Sequence, residues 1–338
     1  MFETLIGNEE IKALLQRLFE KGRMPNSMIL AGAEGVGKRQ FAVELARAIV
    51  CREGTACGKC VACLRAGAFA QPKPDDKDAF KRLVYSEHPD VAMVLPYNRN
   101  ILVDAIREIE REAYFRPYEA AARIFIIDDA HKMNDAAANA LLKTLEEPAA
   151  TSHIILITSR PDALLQTIRS RCQMIRFAPV ESDLIKQHLM EQGSSREDAE
   201  VIACGSGGSV GAALSMDAEA FRNERAMMLE ILNSLALDGG DATLLAAAEK
   251  MSDARNKDNY ERGLGILASL IRDGLVLNVG GEKIENADLR NDLRQAAGAV
   301  KNAKLSRWIV EIEEAIASLE VNVNKKVTTD ALFLKMAA

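Results

Sequence analysis

The stretch Gly32-Ala-Glu-Gly-Val-Gly-Lys38-Arg39 decides the fold class of this chain. It follows a short apolar run, Met28–Ala31, and precedes a segment with apolar residues at helical spacing, 41–49. A strand, a glycine-rich loop and a helix in this order are typical of a phosphate-binding P-loop, whose N–H groups and helix N-terminus surround an anion. The sequence therefore predicts a phosphate site whose residues are Gly32, Gly35, Gly37 and Lys38.

The position after Lys38 departs from the P-loop pattern. A P-loop carries Ser or Thr there, whose hydroxyl holds Mg²⁺, whereas this chain has Arg39. A second apolar run, 123–127, ends at Asp128, the place where nucleotide-binding folds hold the metal through water. The next residue, a water-orienting Glu in ATPases of this kind, is Asp129. These features predict a degenerate nucleotide site. The alternative interpretation is that both carboxylates only cap the following turn.

Four of the six cysteines lie close together, at Cys51, Cys57, Cys60 and Cys63. Disulfides are rare in a reducing cytosol, and four clustered thiolates are typical of one tetrahedral zinc ion. Because four protein ligands close the coordination sphere, the predicted zinc site is structural. A zinc finger that reads DNA is the alternative, but few cations surround the cluster.

Composition limits the remaining function classes. The chain has 338 residues, 48% of them hydrophobic, and a formal net charge of −6. That charge does not favour strong DNA binding, so any nucleic-acid contact needs a local patch or positively charged neighbours. Residues 1–10 contain no signal-type pattern, and the sequence contains no run of eighteen apolar residues. We therefore expect a cytoplasmic protein without a membrane segment.

The pattern of apolar segments changes along the chain. Up to about residue 178, short apolar strands alternate with helices, which predicts a parallel sheet covered on both faces. Residues 179–214 contain short helical segments, and residues 215–338 contain long ones without a strand pattern. We predict an α/β domain at 1–178 with a zinc insertion at 51–63, a small helical domain at 179–214 and an all-α domain at 215–338.

Taken together, these motifs resemble the bacterial DNA polymerase III clamp-loader family. The resemblance rests on the P-loop, the cysteine cluster, Ile126–His131, Asn139–Pro148 and Ser170-Arg171-Cys172. It implies an AAA+ RecA-like P-loop module with a zinc-bearing insertion, a helical lid and a C-terminal helical collar. It also implies a hetero-pentameric ring with gamma/tau and delta subunits, which loads the sliding β clamp onto primer–template DNA.

Three departures from the motor subunits favour the delta-prime type: Arg39, Asp129, and Gly211 where the sensor-2 segment carries an Arg. Such a subunit belongs to the DNA-directed DNA polymerase III holoenzyme, a nucleotidyltransferase, with little or no ATPase or polymerase activity of its own. Whether its P-loop holds ATP or ADP stays open. The resemblance implies that Arg171 is an arginine finger that reaches a neighbour's γ-phosphate.

Other interpretations of the motifs remain open. The main functional alternative is an ATP-hydrolysing motor subunit of the gamma/tau type. A free-standing zinc-dependent DNA-binding protein is a third. For Arg171, the alternative is an ion pair with a local carboxylate.

Overall fold

The computed structural model describes residues 1–237, 257–318 and 325–337. The chain forms two compact units, Met1–Gly193 with Ser206–Ser215, and Ser194–Gly205 with Met216–Ala338. The three-domain division at residues 178 and 214 stays a prediction. The α/β-plus-α fold class is confirmed.

The first unit is built on a six-stranded sheet. Its strands are β1 Ser27–Ala31, β2 Val84–Tyr85, β3 Val91–Val94, β4 Arg123–Ile127, β5 Ser152–Thr158 and β6 Gln173–Arg176. The strand order is β2-β3-β4-β5-β1-β6, and every pair is parallel except β2 with β3. The central strands are apolar throughout because helices cover both faces of a parallel sheet.

Alternate residues of each strand enter different cores. In β4, Ile124 and Ile126 pack with residues of the first helices, and Phe125 and Ile127 pack on the opposite face. The helices of this unit are α1 Glu9–Glu20, α2 Lys38–Val50, α3 Val61–Gly67, α4 Val103–Glu112, α5 Asp135–Glu146, α6 Gln166–Arg169, α7 Ser182–Glu191 and α9 Val210–Ser215.

The second unit is helical in the residues that the structure describes. It contains α8 Arg196–Gly205, α10 Ala218–Ala236, α11 Lys257–Asn278, α12 Arg290–Gly298, α13 Asn302–Ser318 and α14 Lys325–Ala337. The Trp308 side chain is fully buried in its core, and its indole N–H donates to the carbonyl of Met336 at 2.8 Å. The predicted helical segment also covers 238–256, 319–324 and 338, which lie outside the described residues.

Candidate functional site

The P-loop joins β1 to α2 at the carboxyl edge of the parallel sheet. Gly35 has φ 72° and Gly37, the N-cap of α2, has φ 95°. Both values lie in the left-handed region, which glycine adopts without the steric cost of a Cβ atom. The glycines at these two positions therefore let the backbone turn tightly between strand and helix, as the motif predicts.

Lys38 is folded back onto this loop. Its side chain is buried, and its Nζ donates to the carbonyl oxygens of Gly32 at 2.7 Å and Ala33 at 2.6 Å. Burial lowers the pKa of Lys38, and the negative charges of Glu34, Asp129 and Asp128 oppose that shift. The ammonium group thus already has two acceptors and would have to leave them to contact a phosphate.

Arg39 stands beside the carboxylate that would hold a metal. Its Nη1 lies 3.5 Å from Oδ2 of Asp128. Burial raises the pKa of Asp128, and the nearby Arg39 charge opposes the rise. A cavity of about 290 Å³ lies over the two residues, lined also by the P-loop, Asp129 and Lys132. A positive charge from the chain itself therefore lies beside Asp128.

The carboxylate of Asp129, which lines this cavity, is held by a neighbouring side chain. Its backbone is left-handed at φ 50°, and its carboxylate accepts a hydrogen bond from Lys132 Nζ at 2.7 Å. The Asp129 side chain is one methylene shorter than that of Glu, and its carboxylate is paired with Lys132. It is therefore poorly placed to orient a water molecule as a Glu would.

The start of α9 packs directly on the P-loop. The N–H of Gly211 donates to the carbonyl of Gly35 at 2.9 Å. A Cβ atom on Gly211 would lie 3.2 Å from Cα of Gly35, and a Cβ atom on Gly35 would lie 2.0 Å from Oγ of Ser209. A side chain at position 211 would therefore require α9 or the loop to shift by a few tenths of an ångström. Glycine at this position allows the close approach of the two backbones.

The four clustered cysteines meet at the junction of α2 and α3. Cys51 follows the last residue of α2, Cys60 is the N-cap of α3 and Cys63 lies within it. Their sulfur atoms all lie within 4.8 Å of one another, and those of Cys51 and Cys57 are 3.8 Å apart. Tetrahedral zinc with Zn–S bonds of about 2.3 Å places its sulfurs about 3.8 Å apart. The arrangement fits one zinc ion.

Hydrogen bonds in the cluster favour the thiolate, the form that binds zinc, at Cys51 and Cys60, whereas burial raises the pKa of Cys63. The backbone N–H of Cys60 points at Sγ of Cys57 at 3.3 Å. Burial opposes ionisation of Cys51, but hydrogen bonds from the backbone at Cys57, Glu53 and Thr55 outweigh it and lower the pKa of Cys51 to about 6.

Arg171 lies between α6 and β6, at the amino edge of the sheet. Its Nη2 is 2.7 Å from Oε1 of Glu146, and its Nη1 donates to the carbonyl of Thr167 at 2.9 Å. This is the local pairing that the alternative interpretation of Arg171 expected. Both partners are partly exposed, so the pair contributes at most about 1 kcal/mol and is readily exchanged for another anion. The P-loop and Asp128 lie at the opposite, carboxyl edge.

Sequence reasoning missed a buried carboxylate, Asp90. Its two oxygens accept backbone N–H groups from Tyr118, Glu119 and Ala120 at 2.7, 2.8 and 2.9 Å. The buried guanidinium of Arg123 lies 3.9 Å away and pairs with Glu112 at 2.9 Å. A signal was present, because a charged residue opens the otherwise apolar strand β4 and a carboxylate precedes β3.

Comparison with known proteins shows the family of this chain. The family model described as "DNA polymerase III, delta subunit" matches residues 7–181. DNA polymerase III subunit delta' of Bacillus subtilis is 30% identical over 329 residues, covering 96% of this chain and 95% of the relative. This chain belongs to the delta' family of DNA polymerase III subunits. The delta' subunit of Escherichia coli is 27% identical, covering 94% of this chain and 90% of the relative.

The motor-type relatives match less of their own length. The tau subunit of Bacillus subtilis is 28% identical over 81% of this chain but only 46% of the relative. A solved gamma subunit-related protein of Thermotoga maritima is 20% identical over 96% of this chain and 98% of its own, with a TM-score of 0.37, which supports no conclusion. The family assignment confirms the clamp-loader resemblance. In the described ranges, none of the helices has the length and hydrophobicity of a membrane span.

Proposed function

We propose that this chain is the clamp-loader subunit that does not hydrolyse ATP and that contributes Arg171 to the ATP site of a neighbouring subunit. The absence of ATP hydrolysis is supported by the hydrogen bond from the N–H of Gly211 to the carbonyl of Gly35, which holds α9 against the P-loop. In the ring that we propose, gamma/tau and delta are the other subunits, and the ring places the sliding β clamp on primer–template DNA.

The proposed absence of ATP hydrolysis follows from what phosphoryl transfer requires. The reaction needs a bound Mg²⁺, an oriented water and cations at the developing charge. Here Arg39 replaces the metal-binding hydroxyl, Asp129 is bound to Lys132, and Gly211 replaces a cationic side chain. Each change removes a different requirement, so their combination supports a subunit without turnover. ATP or ADP binding without turnover remains compatible with Lys38.

Arg171 suits the second half of the proposal. A guanidinium stays charged and presents a planar fork of donors to phosphate oxygens. It sits exposed at the amino edge, away from the P-loop of its own chain, so its target would be a site on another subunit. The zinc cluster would hold the insertion between α2 and α3 in one conformation, a structural role for Cys51, Cys57, Cys60 and Cys63.

An ATP-hydrolysing motor subunit is the second candidate, favoured by Lys38 and the cavity of about 290 Å³ over it. Turnover of radiolabelled ATP by the isolated full chain separates the two. Lys38→Ala is the matched control, since it removes the ammonium group that the P-loop pattern places at the phosphates. We expect wild type and Lys38→Ala to give the same background rate. A wild-type rate comparable to that of a gamma/tau subunit would mean that the chain is a motor.

A further inference from the structure

Exposed aromatic side chains are concentrated at one place on the first unit. Of the described aromatic residues, those that are exposed are Tyr85 at 36%, Tyr114 at 49%, Phe115 at 58% and Tyr118 at 71%. Three lie in the loop before β4, and the fourth lies on β2. We call these four residues the aromatic patch. Single exposed apolar residues are ordinary, but a cluster of this kind marks an interaction surface.

Arg123 connects the members of the patch. Its guanidinium carbon lies 5.3 Å from the centre of the Tyr118 ring, a cation–π distance. Burial raises the pKa of Tyr85 to about 12, and the nearby Arg123 charge opposes that rise. One buried cation therefore lies between the loop and β2, which places Tyr118 and Tyr85 on one surface.

The loop is held rigidly. Asp90 accepts three of its backbone N–H groups, and the Tyr114 hydroxyl donates to the carbonyl of Glu147 at 3.2 Å. A carboxylate that accepts several backbone N–H groups is a strong anchor. The patch is therefore ordered before any partner binds, which lowers the entropic cost of association.

The patch lies at the same edge of the sheet as Arg171. The loop leads into the amino end of β4. Arg171 lies two residues before Gln173, the first residue of β6, and therefore at the amino end of that strand. Three strand spacings separate β4 from β6, which is about 14 Å. A chain of contacts also joins the two, because Tyr114 bonds to Glu147 and the adjacent Glu146 pairs with Arg171.

We propose that the aromatic patch docks on the same ATP-binding subunit whose nucleotide Arg171 reaches, and that it adds affinity to that contact. The inference rests on the proposed function, because it takes its partner from the assignment of Arg171. In this division of roles, the rigid aromatic side chains hold the neighbour in place and the arginine acts on its nucleotide.

The surrounding charges favour a protein partner over single-stranded nucleic acid. A strand of nucleic acid needs a positively charged groove beside the stacking rings. Here Arg65 and Arg52 pair with Glu119, and Arg123 pairs with Glu112. Three of the cations beside the patch are thus paired with carboxylates, and Arg116 within the loop is exposed. Tyrosines in a rigid surface are characteristic of protein interfaces.

The test is the affinity of full-length chains for a gamma/tau-type subunit in the presence of ATP. Phe115→Ser with Tyr118→Ser should raise the dissociation constant at least about tenfold, the scale of an interface hot spot. ATP hydrolysis by the complex at saturating concentration should stay at the wild-type rate. Met190→Ser is the control, since Met190 is a 44% exposed apolar residue on α7. It should leave the affinity unchanged.

Arg171→Ala separates this inference from the proposed function. If the finger assignment alone is wrong, Arg171→Ala leaves the rate unchanged while the double variant still loses affinity. If the docking inference alone is wrong, the double variant binds like wild type while Arg171→Ala slows hydrolysis. Phe115→Ser alone repeats the test without disturbing the Tyr118–Arg123 contact, and unchanged thermal unfolding checks that it folds.

Two further outcomes would overturn the commitment to this partner. If the patch binds a second copy of the chain, sedimentation of the isolated chain will show a dimer, and the double variant will be a monomer. Titration with an oligothymidylate would reveal binding that the double variant abolishes, if the patch binds nucleic acid. We expect neither.

Discussion

At the scale of single residues, Arg39 is the side chain that most changes the chemistry of the P-loop. It places a guanidinium 3.5 Å from Asp128, where a metal ion would otherwise contribute the charge. Unlike Mg²⁺, a guanidinium cannot coordinate the β- and γ-phosphate oxygens together with a protein hydroxyl. On the proposed function, the loop therefore keeps a positive charge beside Asp128 but lacks the hydroxyl that would hold the metal for hydrolysis.

Restoring the hydroxyl alone should not restore hydrolysis. Arg39→Thr returns the metal-binding group but leaves Asp129 bound to Lys132 and α9 packed on Gly35. We expect the variant to show no ATP turnover above the Lys38→Ala background in a phosphate-release assay. Measurable turnover in Arg39→Thr would mean that Arg39 is the single block and that the other two departures have no effect.

Asp90 carries the second prediction at this scale. Asp90→Asn removes one of two acceptor oxygens and the negative charge beside Arg123, so buried N–H groups lose their partner. We expect the free energy of unfolding to fall by roughly 1–3 kcal/mol, the cost of an unsatisfied buried group. Urea denaturation measures it. Asp78→Asn is the matched control, because Asp78 is exposed and its pair with Lys81 should contribute little. Equal stability of both variants would contradict the role of Asp90.

At the scale of elements, the insertion between α2 and α3 should depend on its metal. We expect one zinc per chain by elemental analysis of protein purified without chelator. Cys60→Ser removes one thiolate, so it should lower the zinc content and the melting temperature, while the surroundings of Arg171 stay unchanged. Cys172→Ser, outside the cluster, should retain the metal. Wild-type protein without zinc would refute the site.

How much the sequence predicts also differs by element. The P-loop, the strands with apolar runs and the cysteine cluster are local patterns, and the structure contains them at the predicted places. The packing of Gly211 on Gly35 is not local. Neither residue type indicates a contact, since it depends on how α9 folds back onto the loop.

The aromatic patch and Asp90 escaped prediction for a related reason. Sequence predicts which residues are apolar, but only the fold decides which of them are covered. Phe115 follows the apolar stripe of α4, yet the turn after Ala113 leaves it outside. Asp90 and its loop lie at the ends of different strands, and the parallel sheet brings them together.

At the scale of the whole molecule, the two edges of the sheet separate the roles of the chain. The carboxyl edge carries the P-loop, on which α9 packs at Gly35, and the amino edge carries Arg171 and the aromatic patch. On the proposed function, a subunit arranged in this way would act on a neighbour's nucleotide, since its own site would lack the hydrolytic groups. The prediction that tests the molecule as a ring component is therefore a substitution at Arg171.

Arg171→Ala should leave folding and ring assembly intact, because the exposed pair with Glu146 holds little of the structure. It should slow DNA- and clamp-stimulated ATP hydrolysis in reconstituted rings, and with it clamp loading. An arginine finger contributes roughly 10³ to 10⁵ in rate at its own site. Because other sites of the ring keep their own fingers, the overall loss should be smaller. Arg171→Lys should recover only part of the rate, since a point charge lacks the planar fork.

Glu146→Gln removes the local partner and serves as the control. It should leave the rate at or above wild type if the guanidinium acts across the interface, whereas a loss equal to that of Arg171→Ala would mean that the local ion pair is the function of Arg171.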